Sequence, residues 1–283
     1  MKKKLRNGIS VLLATVFVIG GALVVNQLQD YQAADKVYQQ AQELALPADL
    51  ESVAPSQMST EVDPDLTEDP VPLAPAPPPE ESEQPLPDAQ ARILLGLELS
   101  ALRKVNGKVL GWIRIPGSPV DYPLLRVKDN NEYLRRAWDG TPNNAGCIFL
   151  ESKNSADFGD FNTLIYGHYM RNGAMFGSLR RYQEQDYRDA NPYIYIATDK
   201  GVFQYEVFAA YEADVVSDTY RLYFEDDGRR QSVLDEYLSR SVIQSDMIPT
   251  AEDHILTLST CTGGGTYETR WVVQAVRIGE YLK

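Results

Sequence analysis

The chain has 283 residues but only two cysteines and two histidines, and these four residues lie in separate segments. A structural zinc ion needs four such ligands at short spacings, so the sequence predicts no metal site. Cofactor motifs are also missing. The glycines at 263–265 are not followed by the Lys-Ser/Thr pair of a phosphate-binding loop, and no Gly-x-Ser-x-Gly elbow of a serine hydrolase occurs. We therefore expect neither a metal nor a cofactor.

Basic residues are absent between Lys36 and Arg92, where 12 acidic residues and 11 of the 17 prolines fall. Such a segment buries too little apolar surface to offset its ordering entropy, which predicts an acidic, disordered stalk over residues 39–90. Residues 1–36 carry a net charge of +3 and the acidic segment −12, so residues 92–283 carry −4 of the total −13. This balance argues against nucleic acid as a partner.

The N-terminus has four basic residues within positions 2–6, followed by an uncharged and mostly apolar run over 9–25. A run of 17 residues is just long enough for a membrane-spanning helix, and basic residues in front of it favour a cytoplasmic N-terminus. We predict a cytoplasmic tip, a signal anchor and a short juxtamembrane segment over 1–38, with the remainder outside the cell. A cleaved signal peptide is the alternative.

Residues 91–283 are long enough for one domain with a single core. Short β patterns separated by Gly and Pro predict a closed or nearly closed barrel. Helices are expected over a short stretch from Ser100, as the N-cap, to Val105, over 174–182, and over 229–241 as an insertion between two strands. The predicted strands are 109–116, 120–125, 146–150, 163–166, 193–197, 202–211, 254–260 and 270–278.

Cys261 is the candidate nucleophile. It ends a β-rich run beside a glycine loop, and Arg270 follows nine residues later. A reactive thiolate needs this partial exposure and a positive neighbour. Cys147 lies among apolar residues and is expected to be an inert core thiol, although a disulfide between the two cysteines is an alternative outside the cytoplasm.

The two histidines differ in position. His168 ends a predicted strand at a glycine turn, where its ring can point across the sheet. His254 lies seven residues before Cys261, and an odd separation within one strand places two residues on opposite faces. His168 is therefore the expected partner of Cys261.

At this point the segments resemble a known family. Residues 162–170 and 175–179 resemble the histidine motif of class B sortases, 257–261 resembles their cysteine motif, and 270–273 resembles the arginine strand that follows. The resemblance extends over about residues 95–283. It implies a mainly β fold, an eight-stranded sortase-type barrel with N-terminal helices and an inserted helix before the cysteine strand.

The resemblance also implies roles for five residues. Cys261 would be the nucleophile, His168 the general acid and base, and Arg270 the group that positions the substrate backbone and stabilises the oxyanion. Ser259 would contact the sorting peptide, and Thr260 would help line the oxyanion site.

The implied activity is that of a cysteine transpeptidase on the outer face of a Gram-positive membrane. It would cleave a C-terminal sorting signal through a thioacyl intermediate and transfer the protein to an amine of a cell-wall precursor or a pilin. Its partners would be surface proteins or pilins that carry sorting signals. Two alternatives stay open: a non-catalytic surface-display barrel on a stalk, and an L,D-transpeptidase-like acyl transferase, whose Ser-His-Gly-Cys motif is absent.

Overall fold

A computed structural model describes residues 2–46, 87–261 and 268–283, without the side chains of 2–19, 22–24, 26 and 261. Most of the predicted stalk, residues 47–86, and the glycine loop after Cys261 lie outside these described residues. The strands form a closed barrel of eight. They are β1 (Val109–Arg114), β2 (Asp121–Arg126), β3 (Ile148–Leu150), β4 (Asn162–Tyr166), β5 (Tyr193–Ala197), β6 (Gly201–Asp214), β7 (Ile255–Cys261) and β8 (Thr269–Leu282).

The strand order around the barrel is β1-β2-β3-β4-β7-β8-β6-β5, and β5 closes onto β1. The β2–β3 and β4–β7 pairs are parallel, whereas the other pairs are antiparallel. Each strand overlaps a predicted one, so the prediction of a mainly β barrel is confirmed. β6 and β8 are each 14 residues long and extend past the predicted strands, because they pair with each other along their full length.

Five helices occur within the described residues: α1 (Lys2–Ala45), α2 (Ala89–Leu95), α3 (Leu99–Val105), α4 (Gln185–Ala190) and α5 (Asp227–Arg240). Glu98, not Ser100, takes the N-cap position of α3, so the predicted cap was wrong. The helix expected over 174–182 is a 3-10 helix at Gly177–Gln183. Gly173 and Met175 adopt left-handed conformations, with φ of 84° and 52°, and this prevents a regular helix from starting at 174.

Helix α5 is the inserted helix before β7, and it packs on the outside of the barrel. Its buried residues Val233, Leu234 and Tyr237 belong to an apolar cluster that is separate from the main core. That cluster includes Tyr211 of β6 and Val272 of β8. These strands are therefore covered on both faces, by the main core on the inside and by α5 on the outside.

The second half of α1 packs against the barrel. Ala34, Tyr38, Ala41 and Ala45 are buried and recur every three or four residues, so they form one face of the helix. The backbone N–H of Glu98 donates to the carbonyl of Ala45 at 3.0 Å. Residues 39–45, predicted as the start of an extended stalk, are therefore helical, and the boundary at residue 39 was wrong. Helix α1 contacts α3 and β2, and α2 contacts β5 and β6.

Within the described part of the chain, no helix is both long enough and apolar enough to cross a membrane. Most side chains of the predicted anchor over residues 9–25 lie outside those that the structure describes, so the anchor stays a prediction.

A substitution at the packed face of α1 tests this arrangement. Ala41 is fully buried and its neighbour Gln40 is exposed. We expect Ala41→Glu to lower the free energy of unfolding by about 1–3 kcal/mol through overpacking alone. Gln40→Glu adds the same carboxylate on the solvent side and should have little effect. Thermal unfolding and limited proteolysis of α1 would report the difference, and equal midpoints for the two variants would contradict the packing.

Candidate active site

Three predicted residues meet at one end of strands β4, β7 and β8. Cys261 ends β7, and its register partner on β8 is Arg270. On the other side of β7, the parallel strand β4 ends at Tyr166 opposite Ser259. His168 lies two residues past Tyr166, and Cys261 lies two residues past Ser259. Because paired strands are about 4.8 Å apart, the backbone delivers all three residues to neighbouring positions.

A cavity of about 350 Å³ opens at this edge of the barrel. A second, more polar groove of about 630 Å³ adjoins it and shares Tyr166, Ser259 and Arg270 with it. The lining of the first cavity includes His168, Thr260, Leu134, Phe149, Cys147, Asn130 and Asn131. Four of the five predicted site residues thus line one cavity, and the fifth, Cys261, is placed at its edge by the strand register.

His168 is half-buried and held from three sides. Its Nε2 atom lies 2.5 Å from the carbonyl oxygen of Leu134, and its own carbonyl accepts the N–H of Phe176 at 3.0 Å. Gly146 packs directly against the ring. A Cβ atom at Gly146 would lie 2.6 Å from Cδ2 of His168, and Gly146 has a φ of 60°, so only glycine fits there.

Arg270 is half-buried beside Tyr166. Its Nη1 atom donates to the carbonyl of Thr269 at 2.8 Å, which orients the guanidinium along the edge of the strand. Burial raises the pKa of Tyr166, and Glu151 raises it further, whereas the charge of Arg270 acts in the opposite direction. The charges of Glu151 and Arg270 therefore both act on the Tyr166 hydroxyl, at the junction of the two cavities.

Ser259 and Thr260 are both buried beside Cys261. The Oγ atom of Ser259 and the Oη atom of Tyr220 form a hydrogen bond of 2.9 Å. In contrast, Oγ1 of Thr260 has no hydrogen-bond partner among the residues that the structure describes. The two predicted substrate-contacting residues thus differ: Ser259 is fixed by a neighbour, and Thr260 has a buried hydroxyl with remaining bonding capacity.

Sequence reasoning missed Glu151, which directly follows β3 and is only 7 % exposed. One carboxylate oxygen accepts bonds from Asn130 Nδ2 at 2.6 Å and Tyr166 Oη at 3.1 Å. The other accepts from Ser152 Oγ at 3.0 Å and the N–H of Lys153 at 3.2 Å. Glu151 therefore fixes two side chains of the cavity wall. An acidic residue directly after the apolar run 148–150 was the available signal.

Cys147 is a buried free thiol, and burial raises its pKa well above the ordinary value. Cys147 lies directly before β3, whereas the sequence predicted it within the strand. Because the chain has two cysteines and Cys147 is unpaired, the disulfide alternative is excluded. His254 precedes β7 at the end opposite Cys261, where its Nδ1 atom lies 3.1 Å from the carbonyl oxygen of Asp160.

Metal-binding side chains do not cluster in the described ranges: no group of three or more His, Cys, Asp or Glu residues there is placed to hold an ion. The arrangement at the cavity consists of an imidazole, a guanidinium and a strand end that carries a cysteine. These groups suit nucleophilic acyl transfer.

Comparison with known proteins agrees with this chemistry. The sequence model of the sortase domain matches residues 113–278. Sortase B of Listeria monocytogenes is 36 % identical over 182 residues, which are 62 % of this chain and 72 % of the relative. The Staphylococcus aureus sortase B–substrate complex is 34 % identical with a TM-score of 0.60, covering 64 % of this chain and 84 % of that one. A sortase B complexed with triglycine is 33 % identical with a TM-score of 0.62, and the match covers 67 % of this chain and 88 % of that one.

The domain match covers more than half of the chain, and the relatives share both the barrel and a third of its sequence. The chain belongs to the sortase family, is similar to sortase B, and is a cysteine transpeptidase.

Proposed function

We propose that this sortase cleaves the C-terminal sorting signal of a surface protein or pilin and transfers that protein, through a thioacyl intermediate on Cys261, to an amine. The acceptor is an amine of a cell-wall precursor or of a pilin. The observation that carries the proposal is the register of β4, β7 and β8: Cys261 pairs with Arg270 and lies beside the strand end that leads to His168, at a cavity that His168 and Arg270 line. Solved sortase B relatives are described as complexes with substrate and with triglycine, a peptide that ends in an amine.

The first half of the reaction forms the thioester. His168 takes the proton of the Cys261 thiol, the thiolate sulfur attacks the scissile carbonyl carbon, and a C–S bond forms as the carbonyl becomes a tetrahedral oxyanion. The C–N bond then breaks, and the departing amine takes that proton from His168. In the second half, the acceptor amine attacks the thioester and gives a proton to His168, and the Cys261 sulfur leaves and takes the proton back. Bonds and protons balance over the two halves, with His168 acting as base and then as acid in each half.

The contact of His168 with Leu134 supports this assignment of proton transfer. A backbone carbonyl only accepts hydrogen bonds, so Nε2 of His168 carries the proton that faces Leu134. Nδ1 is then the ring position at which the catalytic proton is taken up and released. Fixing one ring nitrogen in this way also fixes the tautomer.

Arg270 supplies the charge that each tetrahedral step needs. Arg270 is the register partner of Cys261, and it lines both cavities at their junction. A fixed donor of this kind stabilises an oxyanion without reorganising during the reaction. Ser259 and Thr260 line the same cavity and are proposed to contact the bound peptide. The L,D-transpeptidase alternative is set aside because the chain is a sortase.

For location, we propose that the barrel lies outside the cytoplasmic membrane, as a surface-associated enzyme. The support is family membership together with the basic residues at positions 2–6 in front of the apolar run over 9–25.

Substitution of the three catalytic residues tests the mechanism. Cys261→Ala should abolish both cleavage of a sorting-signal peptide and formation of a thioacyl adduct, as read by mass spectrometry. His168→Ala and Arg270→Ala should each lower turnover by about 10²–10³, the typical effect of removing one stabilising donor. His254→Ala is the matched histidine control and should keep near-normal turnover. A folded His254→Ala protein without activity, or an active Cys261→Ala protein, would contradict the assignment.

Thiol labelling tests the nucleophile separately from turnover. We expect a maleimide reagent at neutral pH to label Cys261 much faster than Cys147, because Cys147 is buried and its pKa is raised. Cys147→Ser should leave the fast phase intact and Cys261→Ala should remove it. A fast phase that survives in Cys261→Ala would mean that Cys147 is the reactive thiol.

The same labelling tests the proposed location. A membrane-impermeant maleimide added to intact cells should label Cys261, and protection of Cys261 would contradict a location outside the membrane.

A substitution at Glu151 tests the cavity wall. Glu151→Gln replaces one of the two carboxylate oxygens with an NH₂ group, which donates and cannot accept. One pair of partners, Asn130 with Tyr166 or Ser152 with Lys153, then loses its acceptor. Loss of one charged hydrogen bond is worth about 1.5 kcal/mol, and we expect KM for a sorting-signal peptide to rise roughly tenfold. Glu252→Gln at an exposed position is the control. A lower melting temperature with unchanged KM would show that Glu151 serves stability only.

A further inference from the structure

We propose that Tyr38 of α1 is a positioning residue for His168, so that the N-terminal helix, which precedes the sortase domain in sequence, sets the geometry of the active site. The inference rests on the proposed role of His168 as the acid and base. The observation that carries it is a chain of direct contacts from α1 to the imidazole.

The first link is the segment that holds the imidazole, residues 133–147, which we call the support loop. It folds back on itself as an irregular hairpin, through Cys147 N–H to Tyr133 O at 3.2 Å and Asn143 N–H to Arg135 O at 3.1 Å. The two arms contact His168 from two directions. One arm carries the Leu134 carbonyl that faces Nε2, and the other carries Gly146, which packs against the ring. The position of the support loop therefore fixes the ring.

The second link joins the support loop to α1 at three points. The Tyr38 hydroxyl donates to the carbonyl of Gly146 at 2.5 Å. Trp138 Nε1 donates to the carbonyl of Val37 at 2.9 Å, and Asn144 Nδ2 donates to a carboxylate oxygen of Asp30 at 3.0 Å. Of the three contacts, the one made by Tyr38 reaches Gly146, the residue that packs against the imidazole.

A second path runs from Tyr38 to the segment after His168. The Tyr38 ring packs edge-on against Tyr122, with ring centroids 5.1 Å apart. The Tyr122 hydroxyl accepts the N–H of Met175 at 3.1 Å, and Met175 pairs with Tyr169, the residue next to His168. Tyr38 thus contacts the supports on both sides of the catalytic histidine, and it is itself only 5 % exposed.

The consequence is specific to the hydroxyl group. A phenylalanine at position 38 keeps the aromatic packing on Tyr122 but leaves the Gly146 carbonyl without its donor. The peptide between Gly146 and Cys147 is then held only on its N–H side, by the carbonyl of Tyr133, and its carbonyl can shift against the imidazole, because glycine leaves a φ of 60° readily. Small errors in the placement of a catalytic group lower turnover, whereas peptide binding through Ser259 and the cavity wall is unaffected.

The experiment compares Tyr38→Phe with Tyr31→Phe in the full-length chain in detergent. Tyr31 lies on the same helix, and its hydroxyl accepts a bond from Gln27 within α1. We expect Tyr38→Phe to lower kcat about tenfold with KM unchanged, since a displacement near 1 Å costs up to about 10²-fold. We also expect the imidazole NMR signals of His168 to shift while those of His254 stay. With two histidines in the chain, His254→Gln assigns the signals. Tyr31→Phe should change neither quantity.

Unchanged kcat and unchanged His168 signals in Tyr38→Phe would overturn the inference. A lower kcat with unmoved His168 signals would also overturn it, because the loss would then arise elsewhere. The proposed function fails by a different result: an active His168→Ala protein. In that case the His168 signals of Tyr38→Phe alone decide whether Tyr38 sets the position of the ring.

Discussion

The backbone ladder that places β7 between a parallel and an antiparallel neighbour is the constraint on which the active site depends. Hydrogen bonds to β4 on one side and β8 on the other fix the register of β7 without any contribution from the catalytic side chains. A slip of one residue would turn every side chain of the strand to the opposite face. Since β4, β7 and β8 all have buried positions, such a slip would place polar groups in the core, and the register is therefore strongly specified.

The surroundings of the site convert that register into a preorganised cavity. Glu151 fixes Tyr166 and Asn130 from behind, Tyr220 holds Ser259, and Gly146 allows the backbone to approach the His168 ring. None of these contacts depends on a mobile surface charge. In the proposed mechanism, preorganisation of this kind makes a fixed donor such as Arg270 effective on a developing oxyanion, because no reorientation is needed during the reaction.

The N-terminal helix changes how the chain is divided. Charge and proline content mark an acidic segment in the sequence, but composition cannot show where a helix on either side of such a segment ends. Residues 39–45 look like the beginning of the acidic segment, yet Ala41 and Ala45 complete a face that begins at Ala34 and packs on the barrel. The small alanine side chains allow α1 to approach the barrel closely. The helix is stabilised by this packing against residues that are distant in the sequence, so the local sequence does not reveal it.

The sequence by itself determined the eight strands and the inserted helix α5, and it predicted Cys261, His168 and Arg270 as site residues, because period-two patterns and motif order are local properties of the chain. The tertiary structure alone decided which strand ends meet, that Cys147 is unpaired beside the same cavity, that Glu151 holds its wall, and that Tyr38 supports His168. The pair Tyr38 and Gly146 is separated by 108 positions. Contacts at such separations arise only when the closed barrel brings distant segments together, so no local pattern can indicate them.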